Sequence, residues 1–111
     1  MKLTGGMKSI SEEWLGNLVN LTEFGKVIPT VPYNWENGFS FGVGEARRLL
    51  DQVETTEEWK TEIMAAISFH KNILMEEVVD DQKVVGKARI MGLNTVLAYV
   101  ESIELSGGMD C

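Results

Sequence analysis

The chain is poor in several of the residues on which active sites are often built. Its 111 residues include one cysteine, Cys111, and one histidine, His70. A lone cysteine excludes an intramolecular disulfide and points to a reducing compartment. So small a stock of thiol and imidazole also excludes a Cys/His zinc site and a Cys–His nucleophilic pair. The only prolines, Pro29 and Pro32, fall close together and mark a break in the chain. No apolar run approaches the roughly 18 residues of a membrane span. The first residues lack the apolar stretch of a signal peptide, so the expected location is the cytoplasm, with no membrane partner.

Positive charge is scarce as well. Ten Lys and Arg face 17 Asp and Glu, a net charge of −7 with an isoelectric point near 4.6. General nucleic-acid binding needs a cationic surplus on some face. The clusters Arg47-Arg48 and Lys83/Lys87/Arg89 are small and interleaved with acids. The acids in turn are too sparse for a mimic of DNA.

What is present is the composition of an ordinary globular domain, 44% apolar and 24% charged. A chain of this length should bury about 65% of its unfolded surface, enough for one real core. Residues 1–8 read as a disordered tail, with "MKLTGG" a cloning remnant or alternative start. Residues 9–105 read as a single helical domain, and 106–111 as a flexible end. The expected class is mostly α, a bundle of about four helices with a short aromatic, glycine-rich hairpin or loop near 31–43.

Ser9-Ile10-Ser11-Glu12 fits a capping box, opening a helix that carries Ile10, Trp14, Leu15, Leu18 and Val19 to about Asn20. Gly25 and the prolines stop it. Asn37-Gly38 is the strongest short hairpin signal in the chain, and predicts Tyr33 and Trp35 on one face with Phe39 and Phe41 on the other. Tyr33 and Trp35 are expected to point inward, with Phe39, Phe41, Arg47 and Arg48 available to a partner. A short helix is expected from Glu45 to Val53. A long one starts at the capping box Thr55-Thr56-Glu57-Glu58 and buries Trp59, Ile63, Ala66, Ile67, His70, Ile73 and Leu74. "MEEVVDDQ" holds either a bend or a continuous helix, and the last helix spans about Lys83 to Glu104.

Chemistry-bearing patterns are few. Gly42-x-Gly44 at a strand-to-helix junction could cradle a phosphate, but Glu45 places a negative charge where the anion would sit. Met64, Met75 and Met91 fit as core filler, and His70 among Ile67, Ile73 and Leu74 fits as a packed core-edge histidine. The acid pairs Glu58/Glu62 and Glu77/Asp80 each fall on one helical face if helix runs through them. This arrangement resembles the all-α nucleotide pyrophosphatases of the MazG type, with Glu77-Val78-Val79-Asp80 matching E-x-x-D. That resemblance implies Mg²⁺ held against a triphosphate. The first pair is spaced by four residues where the family has three.

Gly86 to Val100 is the most informative stretch. Helical glycines cost roughly 1 kcal/mol each against alanine, so Gly86 and Gly92 need compensation, which a close second helix over Ala88, Gly92 and Thr95 would supply. Val85, Ala88, Gly92, Val96 and Tyr99 share one face, with more apolar residues beside it. So wide an arc predicts a homo-oligomer with that face at its interface. The pattern Gly86…Ile90-x-Gly92-Leu93-x-x-Val96-Leu97 resembles the C-terminal helix of short tailed-bacteriophage proteins, which implies a phage or prophage origin and no activity.

The expectation is therefore a non-enzymatic protein without a cofactor, acting by contact with itself and with an unidentified protein. The alternatives are the Mg²⁺-dependent pyrophosphatase, and a protein that sequesters a small ligand or nucleotide on an aromatic face with Arg47 and Arg48.

Overall fold

The computed structural model describes residues 1–25 and 33–107. Four helices follow in order: α1 (Gly5–Gly25), α2 (Tyr33–Leu49), α3 (Thr56–Glu76) and α4 (Asp80–Leu105), with a 3₁₀ turn at Leu50–Gln52 after α2. Pro29, Pro32 and the tail from 108 onward lie outside the described residues, as do the side chains of Tyr33 and Asn34.

The expected hairpin is not formed: residues 33–49 are one helix. A type I′ turn requires positive φ at both central residues, and no described residue except Gly107 has it. The small residues that signalled a turn serve packing instead. Gly38 and Gly42 stand one turn apart on α2, opposite Ala88 and Gly92, one turn apart on α4. A Cβ at Gly38 would strike the Val85 carbonyl, one at Gly42 the Arg89 carbonyl, and one at Gly92 the Phe39 carbonyl. The two backbones thus lie against each other, as small-residue helix pairs allow. Gly42 and Gly44 sit inside a helix, so no loop is available for a phosphate.

The pairings Gly38–Ala88 and Gly42–Leu93 run the same way along both helices, so α2 and α4 are parallel. The return path is α3, antiparallel to α4. Leu74 fills the notch at Gly86 near one end, while Thr56 Oγ1 donates to Glu104 at the other, at 2.7 Å. α1 packs on α2 and reaches α4 through side chains: Trp14 stacks on Tyr99 at 4.4 Å and 7°, and Ser11 Oγ lies 3.1 Å from the phenol oxygen. Burial raises the Tyr99 phenol above its ordinary value, with the Ser11 bond opposing.

This placement corrects the oligomer face. Ala88, Gly92 and Val96 are buried within one chain, Val85 abuts Gly38, and Tyr99 lies under Trp14. The apolar arc of α4 is wide because α2 and α3 of the same chain pack on it and α1 reaches over it at Tyr99.

Helix ends follow local chemistry, though not always at the expected residue. Thr55 caps α3, accepting from the Glu58 amide at 3.1 Å. α1 starts before Ser9: Thr4 Oγ1 accepts from the Met7 amide at 3.1 Å. Residues 1–8, expected to be a loose tail, are packed. Leu3 and Met7 are buried in the core, Leu3 donates to the Glu54 carbonyl at 2.7 Å, and Lys2 bridges Thr55. Between α3 and α4 the chain bends. Glu77 caps α3 through its own amide, and its carboxylate accepts from the amides of Val78 and Val79, both at 3.1 Å.

One ion pair ties α3 to α4. Lys60 Nζ lies 2.6 Å from a Glu104 oxygen. The Lys60 bond, then the Thr56 hydroxyl, hold the Glu104 carboxyl below its usual 4.5, against the opposing effect of burial. A depressed carboxyl stabilises the fold above its unfolded pKa, and the gain is lost as pH falls through the folded value. Glu104→Gln keeps a Thr56 acceptor but removes the charge. Urea unfolding as a function of pH should therefore show a shallower acid limb in this variant than in the wild type. The Lys60 ammonium is raised by the same bond, so its share is lost at the alkaline end, as pH climbs through its folded value.

Candidate functional site

The acids expected to form a metal site do not come together. Glu58 stands in the first turn of α3, with Glu62 one turn later, whereas Glu77 and Asp80 lie beyond the far end of the same helix. At about 1.5 Å per residue, α3 separates the two pairs by roughly 25 Å. Nor do Glu77 and Asp80 share a helix. The Glu77 carboxylate is held by backbone amides, and Asp80, almost fully exposed, has only Lys83 at 3.9 Å. Among the described residues no group of three acidic, Cys or His side chains is placed to hold a metal ion.

The expected partner residues divide. Phe39 is buried under Trp35, rings stacked at 5.2 Å and 12°, and belongs to the core. Phe41, two positions on, points outward and is 53% exposed. Arg47 lies across α1 at Gly16, while Arg48 stays on the outer face of α2 beside Gly44. With Glu12 and Asp51 these two arginines line an open concavity of about 300 Å³, in which both signs of charge are present.

Phe41 belongs to a different and more coherent face, made where α2 and α3 flank α4. The two flanking helices touch chiefly through side chains. Glu45 of α2 places both carboxylate oxygens on His70 Nε2 of α3, at 2.9 and 3.0 Å, and the Trp59 indole N–H donates to the Ala46 carbonyl at 3.0 Å. His70 itself is almost wholly buried. Large apolar side chains stand around this bridge. Phe69 meets the imidazole edge-on at 5.3 Å and is 61% exposed, and Ile73 follows one turn later at 48%. Arg89 of α4 rises between the flanking helices, its guanidinium 5.3 Å from the Phe41 ring centroid.

Below Arg89, α3 and α4 leave a cleft of about 100 Å³, bounded by His70, Ile73, Leu74, Val85 and Gly86, with Glu77 and Gln82 at its rim. Nearby, the α3–α4 bend exposes Met75 and Val78 almost completely. Of the residues around Arg89, sequence reading singled out only Phe41 as a contact residue. Phe41 lies on α2, Phe69 and Ile73 on α3 and Arg89 on α4, and their approach depends on which flank of each helix faces its neighbour. No protein-family model matches the chain, and comparison with curated proteins and with solved structures gives no match either.

Proposed function

We propose that this protein works without catalysis, as a small cytoplasmic accessory or inhibitory factor that acts by contact with another protein. A phage-encoded assembly component or an inhibitor of a host protein is the setting suggested by the C-terminal helix pattern. The observation that carries the reading is a set of half-exposed apolar side chains: Phe41 against the Arg89 guanidinium, Ile73 lining the same cleft as Arg89, and Phe69 one turn from Ile73 against His70 of that cleft. Isolated surface apolar residues are ordinary, but a cluster rimmed by charge marks a contact surface. The pyrophosphatase alternative loses its support with the separation of Glu58/Glu62 from Glu77/Asp80.

The test pairs capture with a fold control. Wild-type chain and a Phe41→Ser/Phe69→Ser double variant are used as bait in bacterial lysate, and the melting of each is recorded. A partner should be retained by the wild type and lost by the variant. The two melting curves should nearly coincide, because substitutions at exposed positions move stability by about 0.5 kcal/mol or less. Mg²⁺ with nucleoside triphosphates should leave the wild-type midpoint unmoved. A Mg²⁺-dependent rise in that midpoint, or triphosphate hydrolysis, abolished by Glu77→Gln would overturn the proposal in favour of the enzyme.

A further inference from the structure

The geometry points to the occupant of this face: an amphipathic helix of a partner protein, carrying a branched aliphatic side chain and, within one turn of it, a carboxylate that pairs with Arg89. This inference rests on the protein-contact reading and names the chemistry of the contact.

Charge is the first reason. In a chain with 17 acidic side chains against 10 basic ones, a surface arginine should find a carboxylate easily. Arg89 has none: among the described residues no acid lies within ion-pair distance of its guanidinium, whose partner is the Phe41 ring. The two acids nearby are already engaged, Glu45 by His70 and Glu77 by the amides of Val78 and Val79. Five N–H donors in a fixed fork therefore stand over an apolar surface with no carboxylate within reach among the described residues, an arrangement suited to bidentate capture of a carboxylate. Held between apolar side chains, such a pair gains more than it would in open water.

Shape is the second reason. The cleft beside Arg89 measures about 100 Å³ and has Leu74, Val85 and Gly86 among its walls. An apolar cavity of about 150 Å³ admits benzene, so this one suits the side chain of Val, Ile or Leu better than an aromatic ring. One wall is set by the glycine at 86, where Leu74 lies so close to the α4 backbone that a Cβ would stand 3.1 Å from its Cδ1. Phe41 on one flank and Ile73 and Phe69 on the other form two shoulders, and a helix laid between them presents i and i+4 side chains to the cleft and to Arg89 together.

A randomised peptide library, long enough for a few helical turns, serves as the probe. It is selected on the wild-type chain and counted against Arg89→Ala. Selected sequences should carry Val, Ile or Leu three or four positions from Asp or Glu. Their affinity should fall about tenfold or more on Arg89→Ala, as loss of one charged hydrogen-bonded pair requires. A similar fall is expected with Ile73→Ser, and a smaller one with Arg89→Lys, which keeps charge but loses the fork. Circular dichroism of each variant should match the wild type.

Selected peptides that lack an acid, or bind Arg89→Ala as tightly as wild type, overturn the inference. So does a dimer in sedimentation that Arg89→Ala dissociates, since the occupant is then a second copy. Peptides that ignore Arg89→Ala but are lost on Val78→Asp place the contact at the α3–α4 bend, refuting this site while leaving the contact reading intact. An empty selection, together with lysate capture that is indifferent to Phe41→Ser/Phe69→Ser, refutes both.

Discussion

Gly42→Ala is expected to destabilise the protein by about 2 kcal/mol or more, although alanine is the better helix former. Propensity alone would favour the substitution by about 1 kcal/mol. The added methyl, however, meets the Arg89 carbonyl oxygen and lies 3.0 Å from both the Arg89 carbonyl carbon and the Leu93 amide nitrogen. These are backbone atoms of a packed helix, and they cannot rotate away as a side chain would. Separating the helices means withdrawing Val43 and Ala46 from their contacts across the whole α2–α4 seam. Overpacking in cores costs about 1–3 kcal/mol and occasionally more, and an immovable neighbour places this case at the upper end.

Gly44→Ala is the matched control. Two positions along the same helix, its Cβ would meet only Arg48 Nη1, at an ordinary 3.6 Å. It should stabilise by up to about 1 kcal/mol. Thermal melts of the two variants should move in opposite directions, with Gly42→Ala lowering the midpoint by about 8 °C or more. Equal shifts of one sign would show that α2 does not lie on α4 through Gly42.

Trp59→Ala should cost about 3–5 kcal/mol, the range for truncating a buried aromatic. Trp59 has no exposed surface, its ring meets Tyr99 edge-on at 6.4 Å, and its indole N–H bonds the Ala46 carbonyl at 3.0 Å. It thereby joins α3 to α2 and to the α1-facing flank of α4. Against the 5–15 kcal/mol typical of a whole domain, such a loss leaves little reserve. Trp59→Phe keeps most of the ring and gives up the indole donor, for about 1–2 kcal/mol. Urea unfolding followed by circular dichroism should rank wild type, Trp59→Phe and Trp59→Ala in that order. A loss below about 1.5 kcal/mol for the alanine variant would contradict the enclosure of this side chain.

How far the sequence could be read varied with how local the determining physics was. Much of α3 was legible: the Thr55 cap and the buried stripe from Trp59 to His70 rest on residues within a turn or two of one another. Ile73, expected in that stripe, is instead 48% exposed, and the sequence left a bend and a continuous helix equally open after Glu76. The closeness demanded by Ala88 and Gly92 was legible too, because a helical glycine announces a near neighbour. The identity of that neighbour was not. Asn37-Gly38 carries a strong hairpin signal when read alone, and only the matching spacing of Gly38/Gly42 with Ala88/Gly92, across the length of α3, reveals two complementary notches. Missing that match also moved Phe39 to the surface and sent the α4 face to a second subunit. Leu3 and Met7 were missed for the opposite reason: two apolar residues four apart among polar ones and glycines are too few to mark a helix, and their burial with Ser11 and Leu15 depends on the groove that the rest of the fold provides. The acid pairs looked alike in sequence, but the bend at Glu77 turns one of its carboxylates into a backbone cap.

The parallel pairing of α2 with α4 also has a kinetic meaning. α3 and α4 are joined by a three-residue bend and can meet early, since the loop to be closed is short. The α2–α4 seam joins segments separated by all of α3, so it closes only after α4 has folded back. A fault confined to that seam, such as a methyl at Gly42, is then felt after the folding barrier has been crossed. It should leave the refolding rate nearly unchanged and appear almost entirely as faster unfolding. The notch that lets two backbones touch is thus a latch on the finished fold, and sets how long each molecule stays closed.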